Sequence, residues 1–234
     1  MRVRNDSFTD RLWHIPEPND HDPIPDTPYP NFVTKLLRRR GVQNAEEAGT
    51  YLFDTPFELP DANLLPSIET ALARIEQAVR DDETIAVYGD FDVDGVTSST
   101  ILTEAIRAVG GRVSPYIPDR FTEGYGLNRS ALQMLRERGV TLVITADCGI
   151  TAIPEVTFAR EIGEDVIILD HHSVPDETPD ACATVNPKMP GSAYPFDEMS
   201  TGGLAYRMAH LLVERYGVAV DSDRWLDLAA LSTV

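Results

Sequence analysis

Cysteine is nearly missing from this sequence. Cys148 and Cys182 are the only two among 234 residues, and they form no recognisable spacing. That excludes a disulfide framework and sets the expectation of a reduced, cytoplasmic protein. Long apolar runs are missing as well. No stretch approaches the roughly 20 residues that cross a bilayer, and Met1 to Asp10 is polar, without a signal-peptide core, so the expectation is no membrane. Basic residues are scarce: 20 Lys and Arg stand against 38 Asp and Glu, a net charge of −18. A nucleic-acid surface is ordinarily basic, so bulk charge speaks against DNA or RNA. Two things weaken that exclusion. Carboxylates that hold cations still count as negative in the sum, and a uniformly acidic surface suits a high-salt cytoplasm whatever the ligand. Arg38, Arg39 and Arg40 form the one dense basic cluster. It reads either as a phosphate contact or as a solvated helix end.

Apolar residues make up 42% of the chain, enough core for one large domain or a domain with an appendage. Six prolines from Pro16 to Pro30 forbid long helices or central strands there. Residues 1–30 therefore read as an irregular proline-rich arm, pinned by Trp13 and Tyr29. A helical lead-in over 31–80 follows: a helix from Asn31 stopped by Gly41, a second opened by the capping-box pair Asn44 and Glu47 and running to about Phe53, and a third capped by Ser67. Ile68, Leu72, Ile75 and Val79 give that third helix one apolar face. From Thr84 strands and helices alternate. Strands are predicted at 84–88, 112–117, 141–146, 165–169 and 183–185. Helices are predicted at 96–108, 129–138, 153–162, 201–216 and 223–232. The pattern predicts an α/β fold over 81–234, with a doubly wound, mostly parallel five-stranded sheet.

The chemistry gathers at strand ends. After the run Ile85 to Tyr88 come Asp90, Asp92 and Asp94, closed by Gly95. Three carboxylates in five residues repel one another unless something cancels their charge, and a divalent cation does so. A solvated acidic turn is the bland alternative. Two further apolar strands end alike: Leu142 to Ala146 in Asp147, and Val166 to Leu169 in Asp170-His171-His172. Parallel strands of one sheet bring such ends together. Carboxylates with histidine suit Mn²⁺ or Mg²⁺. Cys148, without a base at useful spacing, reads as a small packed residue rather than a nucleophile.

The stretches Tyr88 to Thr97, Arg120 with Glu123 to Asn128, Thr145 to Gly149 and Asp170 to His172 resemble the DHH phosphoesterase superfamily, and within it the RecJ exonucleases. The resemblance covers roughly residues 35 to 234. It implies a two-metal phosphodiesterase, usually Mn²⁺-dependent with Mg²⁺ as the alternative, that removes nucleotides 5′→3′ from single-stranded DNA in repair and recombination. RNA as substrate and repair or replication proteins as partners stay open. By motif match Asp92, Asp94, Asp147 and His171 are metal ligands, with Asp147 bridging, while Asp90 and His172 lie in or next to that set. Arg120, Tyr125, Asn128, Gly202 and Gly203 are implied in substrate binding; a salt bridge for Arg120 and close packing for the glycines are the alternatives.

The resemblance also has departures. In the superfamily, the stretch ending at Val234 is followed at once by Ala-Asp, which carries the remaining ligand, and Ser232 stands where glycine is usual. The second catalytic half and the OB-like domain have no counterpart here. This implies an N-terminal part of a RecJ-like protein, binding metal weakly and acting poorly as it stands. Asp227 is a candidate substitute ligand, but its place in a helix pattern favours helix-surface or capping use. Two other readings stand beside this one: a DHH phosphodiesterase for small substrates (nanoRNase or cyclic-dinucleotide type), and a non-catalytic replication scaffold.

Overall fold

The computed structural model describes residues 22–52, 59–221 and 223–234, and the main chain of 2–6 and 11–15. The chain divides into two compact units, Met1–Leu59 and Pro60–Val234.

In the first unit, β1 (Arg2–Asp6) and β2 (Arg11–Ile15) pair antiparallel, with Arg2 opposite Ile15. The sequence reading of an irregular arm is corrected here: both strands precede Pro16, so the prolines do not constrain them. Helices α1 (Asn31–Arg39) and α2 (Ala45–Leu52) follow. Ile24, Leu37, Val42 and Ala48 form a small buried cluster against which Tyr29 packs. The Asn44–Glu47 pair caps α2, with Glu47 reaching back to the residue before the cap rather than to the Asn44 amide. Asn44 Oδ1 accepts from the Glu47 amide at 2.8 Å, and Glu47 Oε2 accepts from the Gln43 amide at 2.6 Å. Arg38 donates to Gln43 Oε1 at 2.9 Å. The Trp13 side chain and Phe53 lie outside the described residues.

The second unit is a three-layer α/β fold. Its sheet runs β4 (Arg112–Tyr116), β3 (Thr84–Gly89), β5 (Val140–Ala146), β6 (Asp165–Leu169), β7 (Ala183–Val185), every pair parallel. β3, β5 and β6 are apolar on both faces because both faces are covered. On one face Ile85, Val87, Ile144 and Leu169 join one core with α3 (Ile68–Arg80), α4 (Val93–Ala108), α7 (Thr201–Arg215) and α8 (Leu226–Thr233). On the other, Ala86, Tyr88, Val143 and Ile168 meet α5 (Arg129–Glu137) and α6 (Ile153–Glu161). Each fully buried aliphatic side chain in this double cover is worth about 1.5–3 kcal/mol.

Two local expectations shift. Ser67 precedes α3 in a left-handed conformation, φ 55°, and its side chain makes no cap bond. Helix α4 starts at Val93 rather than 96, because Asp92 Oδ1 caps it through the Gly95 amide at 3.0 Å. Helix α3, grouped by sequence with the lead-in, contributes Leu72 and Ile75 to the core under the sheet. Among the described residues no helix is long and apolar enough to cross a membrane.

Candidate metal centre

Three neighbouring strands end in aspartates whose amides continue the sheet ladder by one bond. The Asp90 amide donates to Ala146 O at 3.1 Å, Asp147 to Leu169 O at 3.1 Å, and Asp170 to Val185 O at 3.2 Å. All three carboxylates are thereby fixed at the carboxyl edge of the sheet, and all three are buried. Asp147 turns out of β5 with φ 69°, a left-handed conformation that Asp and Asn tolerate better than most residues.

The first turn of α4 brings the next two acids. Gly95 permits that turn to lie on the chain below it: a Cβ there would stand 2.4–2.6 Å from the backbone of Asp90. Gly95→Ala therefore has to displace backbone rather than a flexible side chain. It is expected to cost about 3 kcal/mol and to melt well below the parent in a thermal scan. A variant melting like the parent would show that the turn is slack.

Ligand-type oxygens of Asp90, Asp92 and Asp147 lie within 4.8 Å of one another, and so do those of Asp147 with nitrogens of His171 and His172. Asp147 belongs to both groups. His171 Nε2 stands 3.4 Å from Asp147 Oδ1 and 3.6 Å from Asp94 Oδ2. His172 Nδ1 bonds Asp170 Oδ1 at 2.7 Å. Asp170 carries no assigned role from sequence, yet it is the orienting group of the site. Its Oδ1 also accepts from the His171 and His172 amides, and its Oδ2 accepts from the Ile150 amide. A carboxylate on one ring nitrogen fixes how the other is presented.

The electrostatics are those of a cation site. Burial first, then the neighbouring charge of Asp94, pushes Asp147 up to about 8. Burial also raises Asp90. Asp170 goes the other way: burial opposes its ionisation, but the hydrogen bonds from His172 and Ile150 outweigh that and hold it below the ordinary range. The bond to Asp170 lifts His172 to about 9. Among the described residues, the ion pairs of Asp94 and Asp147 are to histidines alone. Clustered carboxylates, joined by imidazole and with Arg120 acting only on Asp90, fit a divalent cation of the Mn²⁺ or Mg²⁺ kind.

The remaining candidates separate. The Arg120 guanidinium lies 4.7 Å over the Phe91 ring, and Tyr125 meets the same ring edge-on at 6.3 Å. Both thus flank the carboxylates, and Tyr125 Oη lies 3.5 Å from Asp147 O. Asn128 does not enter the cluster by any hydrogen bond: it caps α5 through the Ala131 amide at 2.7 Å and donates to Tyr88 Oη at 3.0 Å. The amides at the head of α7, offered by sequence to a phosphate, are engaged. Thr201 N and Gly202 N donate to Asp94 at 2.9 and 2.7 Å, and Gly203 N donates to Ser200 Oγ at 3.2 Å. The contacts that Thr201 and Ser232 make to Asp147 and Asp94 were not read from sequence, although Thr201 adjoins the Gly202-Gly203 pair and Ser232 lies in the last matched stretch. Asp227 Oδ1 accepts from its neighbour's amide on α8.

Residues 84–233 match the DHH family, N-terminal domain. The chain belongs to the DHH family. Among its relatives, the single-stranded-DNA-specific exonuclease RecJ of Bacillus subtilis is 42% identical over 203 residues, 87% of this chain and 25% of the relative. The crystal structure of exonuclease RecJ bound to manganese matches with a TM-score of 0.65 at 33% identity, over 72% of this chain and 43% of that one. RecJ of Thermus thermophilus, in complex with Mn²⁺, matches with a TM-score of 0.62 at 29% identity, over 84% of this chain and 27% of that one. This DHH chain thus spans about a quarter of the length of the Bacillus protein.

Proposed function

We propose that this chain carries the metal-binding domain of a RecJ-like exonuclease. The reading is a phosphodiesterase that holds two divalent cations, Mn²⁺ or alternatively Mg²⁺, and removes nucleotides 5′→3′ from single-stranded DNA in repair and recombination, in the cytoplasm. The observation that carries it is the shared use of Asp147 by two ligand groups, Asp90 with Asp92 on one side and His171 with His172 on the other. A cation pair held there supplies Lewis acidity toward a phosphodiester. The protein's own part is to keep Asp147 buried and pinned, to hold His172 through Asp170, and to shape the approach with Phe91, Arg120 and Tyr125.

A single strand suits that approach. The net charge of −18 leaves little general attraction for a phosphate backbone, so what this chain adds to binding is local: the cations, Arg120 and stacking. Phe121, 90% exposed, stands on a turn tied by Asp119, whose Oδ1 accepts from the Phe121 and Thr122 amides at 2.9 and 3.0 Å. Together with Tyr125 it offers aromatic surface to unpaired bases.

The test combines a calorimetric Mn²⁺ titration with digestion of a 5′-labelled strand, its duplex and a dinucleotide. Two Mn²⁺ per chain and metal-dependent loss of the label from the strand alone are expected. Absence of Mn²⁺ uptake overturns the metal reading. Cleavage of the dinucleotide with the strand intact moves the assignment to a small-substrate DHH phosphodiesterase.

A further inference from the structure

We infer that Thr201 is a positioning residue of the metal centre: the head of α7 decides which carboxylate lone pairs the site presents. The inference rests on the metal reading above and adds to it a residue that is not itself a ligand. Thr201 is fully buried and touches two acids from different elements. Its Oγ1 donates to Asp147 Oδ1 at 3.0 Å, and its amide donates to Asp94 Oδ2 at 2.9 Å.

The bonds around Asp94 complete the frame. Its Oδ1 accepts from the Gly202 amide at 2.7 Å and from Ser232 Oγ at 2.8 Å. A carboxylate oxygen offers two lone pairs, so Oδ1 is full. Oδ2 gives one lone pair to Thr201 and keeps one, and it is the oxygen 3.6 Å from His171. The partial positive charge at a helix N-terminus favours this placement. Ser200 caps the same turn and shares a 2.6 Å hydrogen bond with Ser232. Gly202 leaves room for it: a Cβ there would stand 2.4 Å from Ser232 Oγ.

Among the described residues no other element bridges these two acids in the same way. His171 approaches both Asp94 and Asp147, but from the ligand side. Among the described residues the Thr201 hydroxyl is the side-chain hydrogen-bond donor on Asp147 from outside the histidine pair, so its loss removes a contact that fixes the orientation of that carboxylate.

The experiment compares Mn²⁺ affinity by calorimetry for the parent, Thr201→Val and Thr201→Ser, with melting temperatures taken without metal. Thr201→Val keeps the shape and the amide but removes the hydroxyl. Loss of an outer partner of a ligand costs roughly 10–100-fold in metal affinity, and that loss is expected here, with Thr201→Ser restoring the parent value to within a few-fold. A purely structural role would lower the metal-free melting temperature and leave the affinity of the folded fraction alone. Should Thr201→Val fail to fold, Thr201→Cys places a much weaker donor at the same point and makes the same comparison against Thr201→Ser. Parent-like Mn²⁺ affinity in the variant lacking the hydroxyl, or no recovery in Thr201→Ser, overturns the inference. A parent chain that takes up no Mn²⁺ instead overturns the metal reading, a result separable from either of these.

Discussion

Asp147→Asn is expected to abolish Mn²⁺ uptake while making the metal-free protein more stable. The two effects have one cause. Asp147 is 2% exposed and sits beside Asp94, so its charge is costly without a cation and useful with one. Asparagine keeps the size, accepts from Thr201 Oγ1 through its carbonyl, and suits the φ of 69°. What it loses is the shared negative charge of both ligand groups. The affinity loss should exceed the roughly 10–100-fold typical of an outer partner, and any phosphodiesterase activity should fall with it. The metal-free melting temperature should rise by about 5 °C, since a domain of this size gains roughly 2–4 °C per kcal/mol. Calorimetry and a thermal scan on the same preparation read both. Intact Mn²⁺ uptake together with a lowered melting temperature would falsify the role assigned to Asp147.

The metal-free chain is also expected to lose stability as pH rises from about 5 to about 9, and Mn²⁺ to restore more of it the higher the pH. Unfolded, Asp147 ionises near 3.8; folded, it keeps its proton up to about 8. Its contribution is therefore fully present at low pH and lost as pH rises toward about 8. His172 acts with the same sign. Its folded value of about 9 stands above the ordinary 6.5, so that contribution also fades as pH passes about 9. Asp170, held low, contributes stability above its unfolded range and is flat across this window. Glu164, buried and raised to about 7, adds to the slope from outside the site; a Glu164→Gln chain separates its share. Metal must displace the protons on Asp147 and His172. The Mn²⁺-induced gain in melting temperature should thus be larger at about pH 8.5 than at about pH 6. An equal gain at both would show that neither group titrates at the site.

The parts of this molecule that could be read from sequence are those encoded over short distances. Ile85 to Tyr88, Leu142 to Ala146 and Val166 to Leu169 announce buried strands by β-branched apolar runs, and the acids directly after them inherit their position from the sheet. The Asn44–Glu47 and Asn128 caps are local for the same reason. The hairpin of β1 and β2 was not legible, since Arg2–Asp6 is polar and its partner strand immediately precedes the prolines. Ser67 has the composition of a cap but the backbone of a left-handed turn, which residue type alone does not reveal. Asp170 stood in a recognised motif, yet its work on His172 depends on a side-chain geometry that order in sequence does not specify. The bonds of Thr201 and Ser232 to the acids were not legible because their partners are far along the chain.

That separation has a consequence for how the protein is made. The bond between Thr201 and Asp94 joins residues 107 apart, and that between Thr201 and Asp147 joins residues 54 apart. Closing long loops is slow, and the contacts they enclose reward the chain only afterwards. Asp94 and Asp147 emerge from synthesis first and wait for the donors of α7 to arrive. Manganese capture should accordingly mark the end of folding rather than guide its beginning, and a nascent chain released before α7 would carry every strand-end acid yet lack the clamp that gathers them.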